Sequence, residues 1–227
     1  MEKMHKLALD PSKKFGWCLH LDIDLLPERA EPYKREDQLF YGTWDLEKDI
    51  DGKKCCLRGQ FAWNLWENFN ALRRERGIEE DELQIILEGE SYGSQKSEAG
   101  RRMAAMWLVV LEMMCVRKKL PPPITCPVDS WRESFIKCTR APKEVGAGLK
   151  DDAARTEARR KWLKDKVMRV CSERGLHPKN DNEADALGIM FWALVGGIDA
   201  LESSRRKKKE QRLTKTRQKK LDLAVAA

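Results

Sequence analysis

The stretch KLALD, from Lys6 to Asp10, predicts the strand around which the rest of the chain is organised. Its apolar residues lead into an aspartate, and Pro11-Ser12 then breaks the strand. The stretch QIILE, from Gln84 to Glu88, repeats this pattern of an apolar run that ends in a carboxylate. Further along, DNEADALGI begins at Asp181 and predicts the start of a helix that carries Asp185. Three distant segments are therefore each expected to deliver an acid to the end of an apolar element.

The order of the predicted elements indicates the fold class. Strands are expected at Lys6–Asp10, Phe15–Ile23, Leu39–Leu46, Leu83–Leu87 and Ile124–Val128. Helices are expected at Gly59–Arg76, Glu98–Lys118, Trp131–Ile136, Ala153–Arg174 and Asp181–Leu201, with a mobile loop at Pro142–Leu149. Antiparallel strands come first and helix-separated strands later, which predicts an α/β fold with a mixed five-stranded sheet flanked by helices. If the first and fourth strands are parallel neighbours, Asp10 and Glu88 emerge at the same edge of the sheet.

The charge of the chain is distributed unevenly. The 227 residues carry a net charge of +7. Residues 205–220 hold ten Lys and Arg against one Glu, a charge of +9, which leaves −2 for the remainder. Such a block is typical of a solvated arm and often meets nucleic acid. Because the length and the 41% hydrophobic content suit one core, we predict a domain at 1–204 and a basic, flexible tail at 205–227.

The cysteines and the apolar segments indicate the cellular compartment that the protein occupies. Seven cysteines form no CxxC pair, and with only three histidines beside them no zinc spacing is present. We expect reduced, mostly buried thiols in an intracellular protein. The start of the chain leads straight into a strand-length apolar run rather than a signal peptide. The longest apolar helix, near Met103–Val116, is interrupted by Glu112 and is too short to cross a bilayer.

The three acids have no nearby histidine or cysteine partner, which limits the metals they suit. Carboxylate oxygens are hard ligands that favour Mg²⁺ or Mn²⁺ over zinc. Two such ions about 3.5–4 Å apart can clamp the attacking and leaving oxygens of a phosphodiester. We expect Asp10, on the central strand, to be shared by both ions. On the last helix, Asp181 is the expected fourth acid because it shares a face with Asp185, and Glu183 is the alternative if the first turn is irregular.

Three blocks of sequence also carry a family resemblance. LALDPSKKFGW (7–17), ILEGESYG (86–93) and NEADALGI (182–189), in that order, resemble the RuvC-type Holliday junction resolvases and specifically their phage-borne relatives. The resemblance implies a ribonuclease H-like fold, a homodimer and a divalent-metal endonuclease acting on branched DNA. It assigns metal-binding roles to Asp10, Glu88 and Asp185, and it makes Glu98–Lys118 the dimer-forming helix. The family usually has an acid three residues before the last aspartate, where this chain has Asn182.

Several further residues are candidates for DNA contact. Tyr92 follows Glu88 closely, near where these resolvases carry an aromatic that stacks on an unpaired base, and such stacking is worth about 1–3 kcal/mol per base. Cations near the acids, or on exposed helical faces, are expected to meet phosphates in a salt-dependent way. The candidates are Lys13, Lys14, Arg101, Arg102, Arg155 and Arg159. The wider series from Arg155 to Arg169 and the basic tail suit the same kind of contact.

The sequence therefore leads to a specific functional hypothesis with three rivals. We expect a Mg²⁺- or Mn²⁺-dependent enzyme that resolves four-way junctions by paired phosphodiester hydrolysis, in the cytoplasm of a host cell if it is phage-encoded. One alternative is a general debranching nuclease for flaps and forks. A second is a non-catalytic DNA-binding scaffold whose site is degraded at Asn182. The third is a ribonuclease H-like enzyme that cleaves RNA in RNA–DNA hybrids.

Overall fold

The structure, a computed structural model, describes residues 4–22, 38–49, 51–55, 57–79, 82–89 and 98–225. Its strands are β1 (His5–Asp10), β2 (Lys14–His20), β3 (Leu39–Asp45), β4 (Leu83–Glu88) and β5 (Ile124–Cys126). Its helices are α1 (Arg58–Arg76), α2 (Glu98–Lys118), α3 (Val128–Ile136), α4 (Asp152–Glu173), α5 (Asp181–Leu194) and α6 (Gly197–Val225). Tyr92 lies outside the described residues.

The strands form one sheet with β1 in the centre. The order is β3-β2-β1-β4-β5, in which β2 runs antiparallel to both β1 and β3, while β4 runs parallel to β1 and β5 parallel to β4. This confirms the prediction of an α/β fold with a mixed five-stranded sheet flanked by helices. Leu9 pairs with Leu87, so the next residues, Asp10 and Glu88, end adjacent parallel strands at the same edge.

Alternation along the strands divides the core into two layers. Leu7, Leu9, Ile85 and Leu87 face a cluster that includes the buried residues of α1 and α2. The intervening residues, such as Ala8 and Ile86, belong to a second cluster with α3, α4 and α5. Because successive side chains of a strand point to opposite faces, Asp10 and Glu88 share the face of Ala8 and Ile86. Both carboxylates therefore lie on the side of the sheet covered by α3, α4 and α5.

The C-terminal part of the chain differs from the prediction. The helix expected at Asp181–Leu201 is two helices, because α5 ends at Leu194 and α6 begins at Gly197. The glycine pair at 196 and 197 favours a break at this point. Residues 205–225 of the predicted flexible tail continue α6 as a helix, in keeping with their many Lys, Arg, Gln and Leu, which are good helix formers. The predicted boundary at 204 falls inside α6, so the division into a domain and a tail stays a prediction.

The loop at Pro142–Leu149 consists of successive turns that lie against α4. Backbone bonds from Val145 N to the Pro142 carbonyl and from Leu149 N to the Gly146 carbonyl close two of these turns. A β-carbon at Gly146, whose φ is +81°, would lie 3.2 Å from the Cα atom of Arg155. The glycine therefore allows the middle of the loop to lie close to the helix.

Helix α2 has one face in the core and another in solvent. Trp107 and Leu111 are buried beneath α1 and the sheet. Val109, Met113 and Val116 are exposed, and Val116 is 81% accessible. Part of the apolar surface of α2 therefore remains without cover in the single chain.

The cysteines at 18, 55, 115, 126, 138 and 171 are free thiols, and all but Cys138 are buried. In the part of the chain that the structure describes, no single helix is long and apolar enough to cross a membrane; only α5 with the start of α6, bent by 67°, passes that test as a pair.

Candidate metal and nucleic-acid site

A cavity of about 700 Å³ opens where β1 and β4 end beneath α4 and α5. Four carboxylates line it, and we call them the cavity acids: Asp10, Glu88, Asp181 and Asp185. They come from β1, β4 and α5, segments that are far apart along the chain. The cavity thus brings together all four residues proposed from the sequence as the acidic site.

The approach of α5 to the sheet depends on Gly16. This residue pairs with Asp10 across the β1–β2 ladder. A β-carbon at Gly16 would lie 2.0 Å from the backbone oxygen of Asn182, in the first turn of α5. Any side chain at position 16 would therefore push α5 away from the sheet. The glycine lets the helix start directly beside Asp10 and brings Asp185, one turn later, to the same cavity.

A hydrogen-bonded cap fixes the beginning of α5. The Asn180 side chain accepts a bond from Glu183 N at 3.0 Å, as a helix cap does. The Glu183 carboxylate accepts from Lys179 N at 2.7 Å and from the Thr43 hydroxyl of β3 at 3.1 Å. Glu183 is only 4% accessible and does not line the cavity. Of the two alternatives for the fourth acid, Asp181 lies at the cavity, whereas Glu183 ties α5 to β3.

Trp131 of α3 holds the Glu88 side chain in place. Its indole Nε1 donates a hydrogen bond to Glu88 Oε1 at 3.0 Å, and its side chain is fully buried. A β-carbon at Gly188 of α5 would lie 2.7 Å from the Trp131 ring, so α5 and α3 pack closely around the indole. The sequence does not indicate this role, because a tryptophan in an apolar helix ordinarily indicates packing.

Burial and mutual repulsion disfavour the ionised form of two cavity acids. Burial raises the pKa of Asp10 well above its usual value, and the negative charges of Glu88 and Asp185 raise it further. Burial, followed by the charge of Glu88, also raises the pKa of Asp185 to about 7, against the opposing influence of Arg132. The carboxylates are therefore close enough to influence one another, and a cation placed among them would relieve their repulsion.

Asp181 differs from the other two aspartates because it has a cation of its own. Its carboxylate forms an ion pair with the Lys164 ammonium of α4. Burial works against ionisation, yet the hydrogen bond and charge of Lys164 hold the pKa of Asp181 below its usual value. Asp181 is thus an ionised acid at the rim that is already neutralised by the protein.

The cavity acids have the oxygen donors that a hard divalent cation prefers. All of them offer oxygen, the donor that Mg²⁺ and Mn²⁺ prefer. Asp10, Glu88 and Asp185 would be the ligands, since Asp181 is paired with Lys164. Among the described side chains as they stand, no three His, Cys, Asp or Glu are arranged to hold an ion. Side-chain adjustment would therefore accompany binding, as expected for carboxylates that repel one another.

Six cations line the same cavity, and we call them the cavity cations: Arg132, Arg140, Lys143, Arg159, Arg160 and Lys164. Arg159, Arg160 and Lys164 belong to the α4 series that the sequence suggested for phosphate contact. Arg159 also donates to the backbone carbonyls of Val145 and Lys143, at 3.3 and 3.4 Å, and so anchors the loop that carries Lys143. The sequence does not indicate a site role for Arg132, Arg140 or Lys143, since nothing but their charge distinguishes them.

The other DNA-contact candidates lie elsewhere. Lys13 pairs with Glu47 at 2.7 Å, and Lys14 is exposed on β2. Arg155 pairs with Asp152 in the first turn of α4. None of these three lines the cavity. Arg102 is exposed near the start of α2, and the side chain of Arg101 is outside what the structure describes.

Comparisons with known proteins add the following. No family model matches the chain, and no curated protein matches it. Among solved structures, T. thermophilus RuvC in complex with a Holliday junction substrate is similar at 12% sequence identity and a TM-score of 0.45, covering 85% of this chain and 97% of that one. Similarity at this level carries no weight for function, which is therefore inferred from the residues of the cavity.

Proposed function

We propose that this protein is a divalent-metal-dependent endonuclease that cuts Holliday junctions and related branched DNA. The observation that carries the proposal is the convergence of Asp10, Glu88 and Asp185, from β1, β4 and α5, in one cavity that is also lined by cations. Buried carboxylates without a cation are unfavourable, so such a cluster is the mark of a functional site rather than of a stable core. We further propose that it belongs with the phage-borne RuvC-type resolvases and acts in the cytoplasm of a host cell.

The chemistry follows from the ligands and their surroundings. Asp10, Glu88 and Asp185 would hold Mg²⁺ or Mn²⁺, with Asp10 shared by two ions. Bound there, the metal would activate a water and stabilise the departing 3′ oxygen of a phosphodiester. Trp131 keeps Glu88 in a fixed orientation through its 3.0 Å hydrogen bond. The pair of Asp181 with Lys164 supplies a positioned ammonium beside the reacting phosphate.

The cavity cations would position the DNA substrate by binding its phosphates. Arg140, Lys143 and Arg160 are exposed at the cavity and can contact the phosphates that flank the scissile bond. Such contacts position the strand without reading its bases. Preference for a branch would then come from the shape of the DNA rather than from base sequence.

Paired cleavage of a junction requires two sites in a fixed relation. We propose that a homodimer supplies them, since a two-fold interface places two identical sites symmetrically. The exposed apolar residues of α1 and α2, among them Trp63, Met113 and Val116, support such an interface. Trp63 and Met113 line a groove of about 380 Å³ between the two helices, which a second copy could fill. Each protomer would cut one strand and leave a 5′ phosphate.

The test is a cleavage assay on a panel of end-labelled DNAs. Wild-type protein with Mg²⁺ should nick a four-way junction at two symmetric positions, and chelation with EDTA should stop cleavage. Flaps, forks and an RNA–DNA hybrid belong in the same panel, because preferential cutting of these would favour a debranching nuclease or an RNA-cleaving enzyme instead. Junction binding with no cleavage in Mg²⁺ or Mn²⁺ would favour the scaffold alternative and reject the proposal.

A further inference from the structure

Helix α6 leaves the body of the protein shortly after it begins. Ile198 is buried, and Leu201 packs against the core cluster of α3, α4 and α5. From Glu202 to Thr216 every side chain is exposed. Because a helix rises about 1.5 Å per residue, the part of α6 beyond Leu201 is about 35 Å long. A helix of this length with no buried face in its described part has a role other than completing the core.

The cations of α6 are concentrated on one face. Five of the seven Lys and Arg between residues 202 and 216 lie within an arc of about 120° at 100° per residue, and we call these five the basic ridge: Arg205, Lys208, Lys209, Arg212 and Lys215. The acids Glu202 and Glu210 fall outside this arc, as does Leu213. Glu202 lies 3.8 Å from Arg206, which is also off the ridge. The ridge therefore presents positive charge alone along three turns of the helix.

The ridge cations lack acidic partners among the described residues. In the described part of the chain, none of the five ridge residues forms an ion pair with a carboxylate. Like charges three or four residues apart destabilise a helix, and the exposed pair of Arg206 with Glu202 offsets little of that repulsion. A row of exposed cations that repel one another is a suitable surface for a polyanionic partner, whose negative charge would relieve the repulsion.

We infer that the basic ridge is a second binding surface, outside the cavity, for the phosphate backbone of double-stranded DNA. The five ridge residues span about 15 Å of helix axis, and a B-form duplex presents one phosphate charge per about 1.7 Å of its own axis, so several phosphates can lie beside the ridge. A membrane surface fits less well, because interfacial helices need an apolar face and Leu213 is the only exposed large apolar residue in the described part of the arm. The inference rests on the proposed function only because that function identifies the polyanion as DNA. In a junction-resolving enzyme, the ridge would bind the backbone of one junction arm, away from the branch point.

A matched pair of double variants tests the ridge in the full-length protein. Lys208→Gln with Arg212→Gln removes two ridge charges, whereas Lys207→Gln with Arg206→Gln removes the same charges from outside the arc. Binding to a fluorescent, unbranched 30-bp duplex is measured by anisotropy in EDTA over a range of salt concentrations. The ridge variant should lose about 10-fold in affinity at 0.1 M salt, and its slope of log K against log salt should become shallower by about 2. The off-ridge variant should change both quantities by less than half as much.

Three outcomes would overturn the inference. Equal losses in the two variants would mean that net charge alone matters, and no loss in either would mean that α6 does not touch the duplex. Tighter binding to vesicles containing phosphatidylserine than to the duplex, with the same dependence on the ridge, would identify a lipid surface instead. Since the assay uses neither a branch nor a divalent metal, its failure is distinguishable from a failure of the proposed nuclease activity.

Discussion

The cavity acids and the cavity cations line the same space, yet the protein holds them in different ways. Asp10 and Glu88 are fixed by the register of two parallel strands, and Asp185 by a helix that lies against Gly16. By contrast, Lys143 and Arg160 are exposed on a loop and on the outer part of α4. The difference indicates that the acids must be placed accurately, as a metal site requires, whereas the cations need only supply positive charge near a phosphate backbone.

The largest effect should come from changing the acids themselves. Asp10→Asn or Glu88→Gln removes a ligand charge while keeping the shape of the side chain, so junction cleavage in Mg²⁺ should fall by about 10³-fold or more. Junction binding should be retained within a few-fold. Asp165→Asn, an exposed acid of α4 outside the cavity, is the matched control and should cut normally. Cleavage by the Asp10 variant at the wild-type rate would reject the acid site.

The cations should show a smaller effect, and on binding rather than on chemistry. Lys143→Gln with Arg160→Gln should weaken junction binding by about 10-fold and make the salt slope shallower by about 2, because each phosphate contact releases about 0.9 counterion. Cleavage at saturating protein should fall much less than binding does. The matched control is Lys161→Gln with Arg169→Gln, an exposed pair of the same composition on α4 that does not line the cavity. Equal weakening by both pairs would show that the cavity cations have no special position.

The hydrogen bond from Trp131 to Glu88 tests whether the orientation of this metal ligand matters for cleavage. Trp131→Phe removes the indole donor but keeps an aromatic ring, and groups that orient metal ligands typically contribute 10- to 100-fold. We therefore expect cleavage to fall by about 10-fold, with a matching rise in the Mg²⁺ concentration needed for half-maximal rate. Trp107→Phe is the control, since Trp107 is equally buried on the other face of the sheet and its Nε1 has no described partner. If both variants lose the same activity, the effect is one of packing.

The smallest effect concerns stability without metal. Because the pKa of Asp185 is about 7 in the folded state and about 3.8 when unfolded, the folded state resists ionisation of this group. The contribution of Asp185 to the free energy of unfolding therefore decreases as pH rises from about 4 to 7 and then levels off. In EDTA, Asp185→Asn should be more stable than wild type at pH 8, by on the order of a few kcal/mol or less, and the difference should shrink towards pH 4. Urea unfolding at both pH values measures it; a difference that grows towards low pH would contradict the assigned sign.

The sequence was most informative where a charge interrupts an apolar pattern. Asp10 and Glu88 could be placed at one sheet edge because strand periodicity and direction determine where a strand-end residue emerges. Trp131 and Arg132 could not, because their position beside the acids depends on how α3 packs against α5 across Gly188. Glu183 shows the same limit: its position near a helix start suits a ligand, whereas the hydrogen bonds that it accepts from Thr43 and Lys179 N tie the start of α5 to β3.

The length of α6 illustrates a second limit. The charge run at 205–220 indicated a solvated arm, and the described side chains of α6 beyond Leu201 are indeed solvated. Helix formation there depends on the summed helix propensity of its Lys, Arg, Gln and Leu. The repulsion between like charges opposes the helix, so the charge run alone does not predict one. The break between α5 and α6 likewise follows from two adjacent glycines within what otherwise reads as one apolar helix.

The account depends most directly on whether divalent ions bind among Asp10, Glu88 and Asp185. The decisive measurement is an anomalous difference map from crystals soaked in Mn²⁺, compared with Asp10→Asn crystals soaked in the same way. We predict one or two peaks at about 2.0–2.3 Å from the carboxylate oxygens of these three residues in wild type, and their loss or weakening in the variant. Ordered acids with no peak between them at saturating Mn²⁺, or peaks only at other sites, would contradict the central claim.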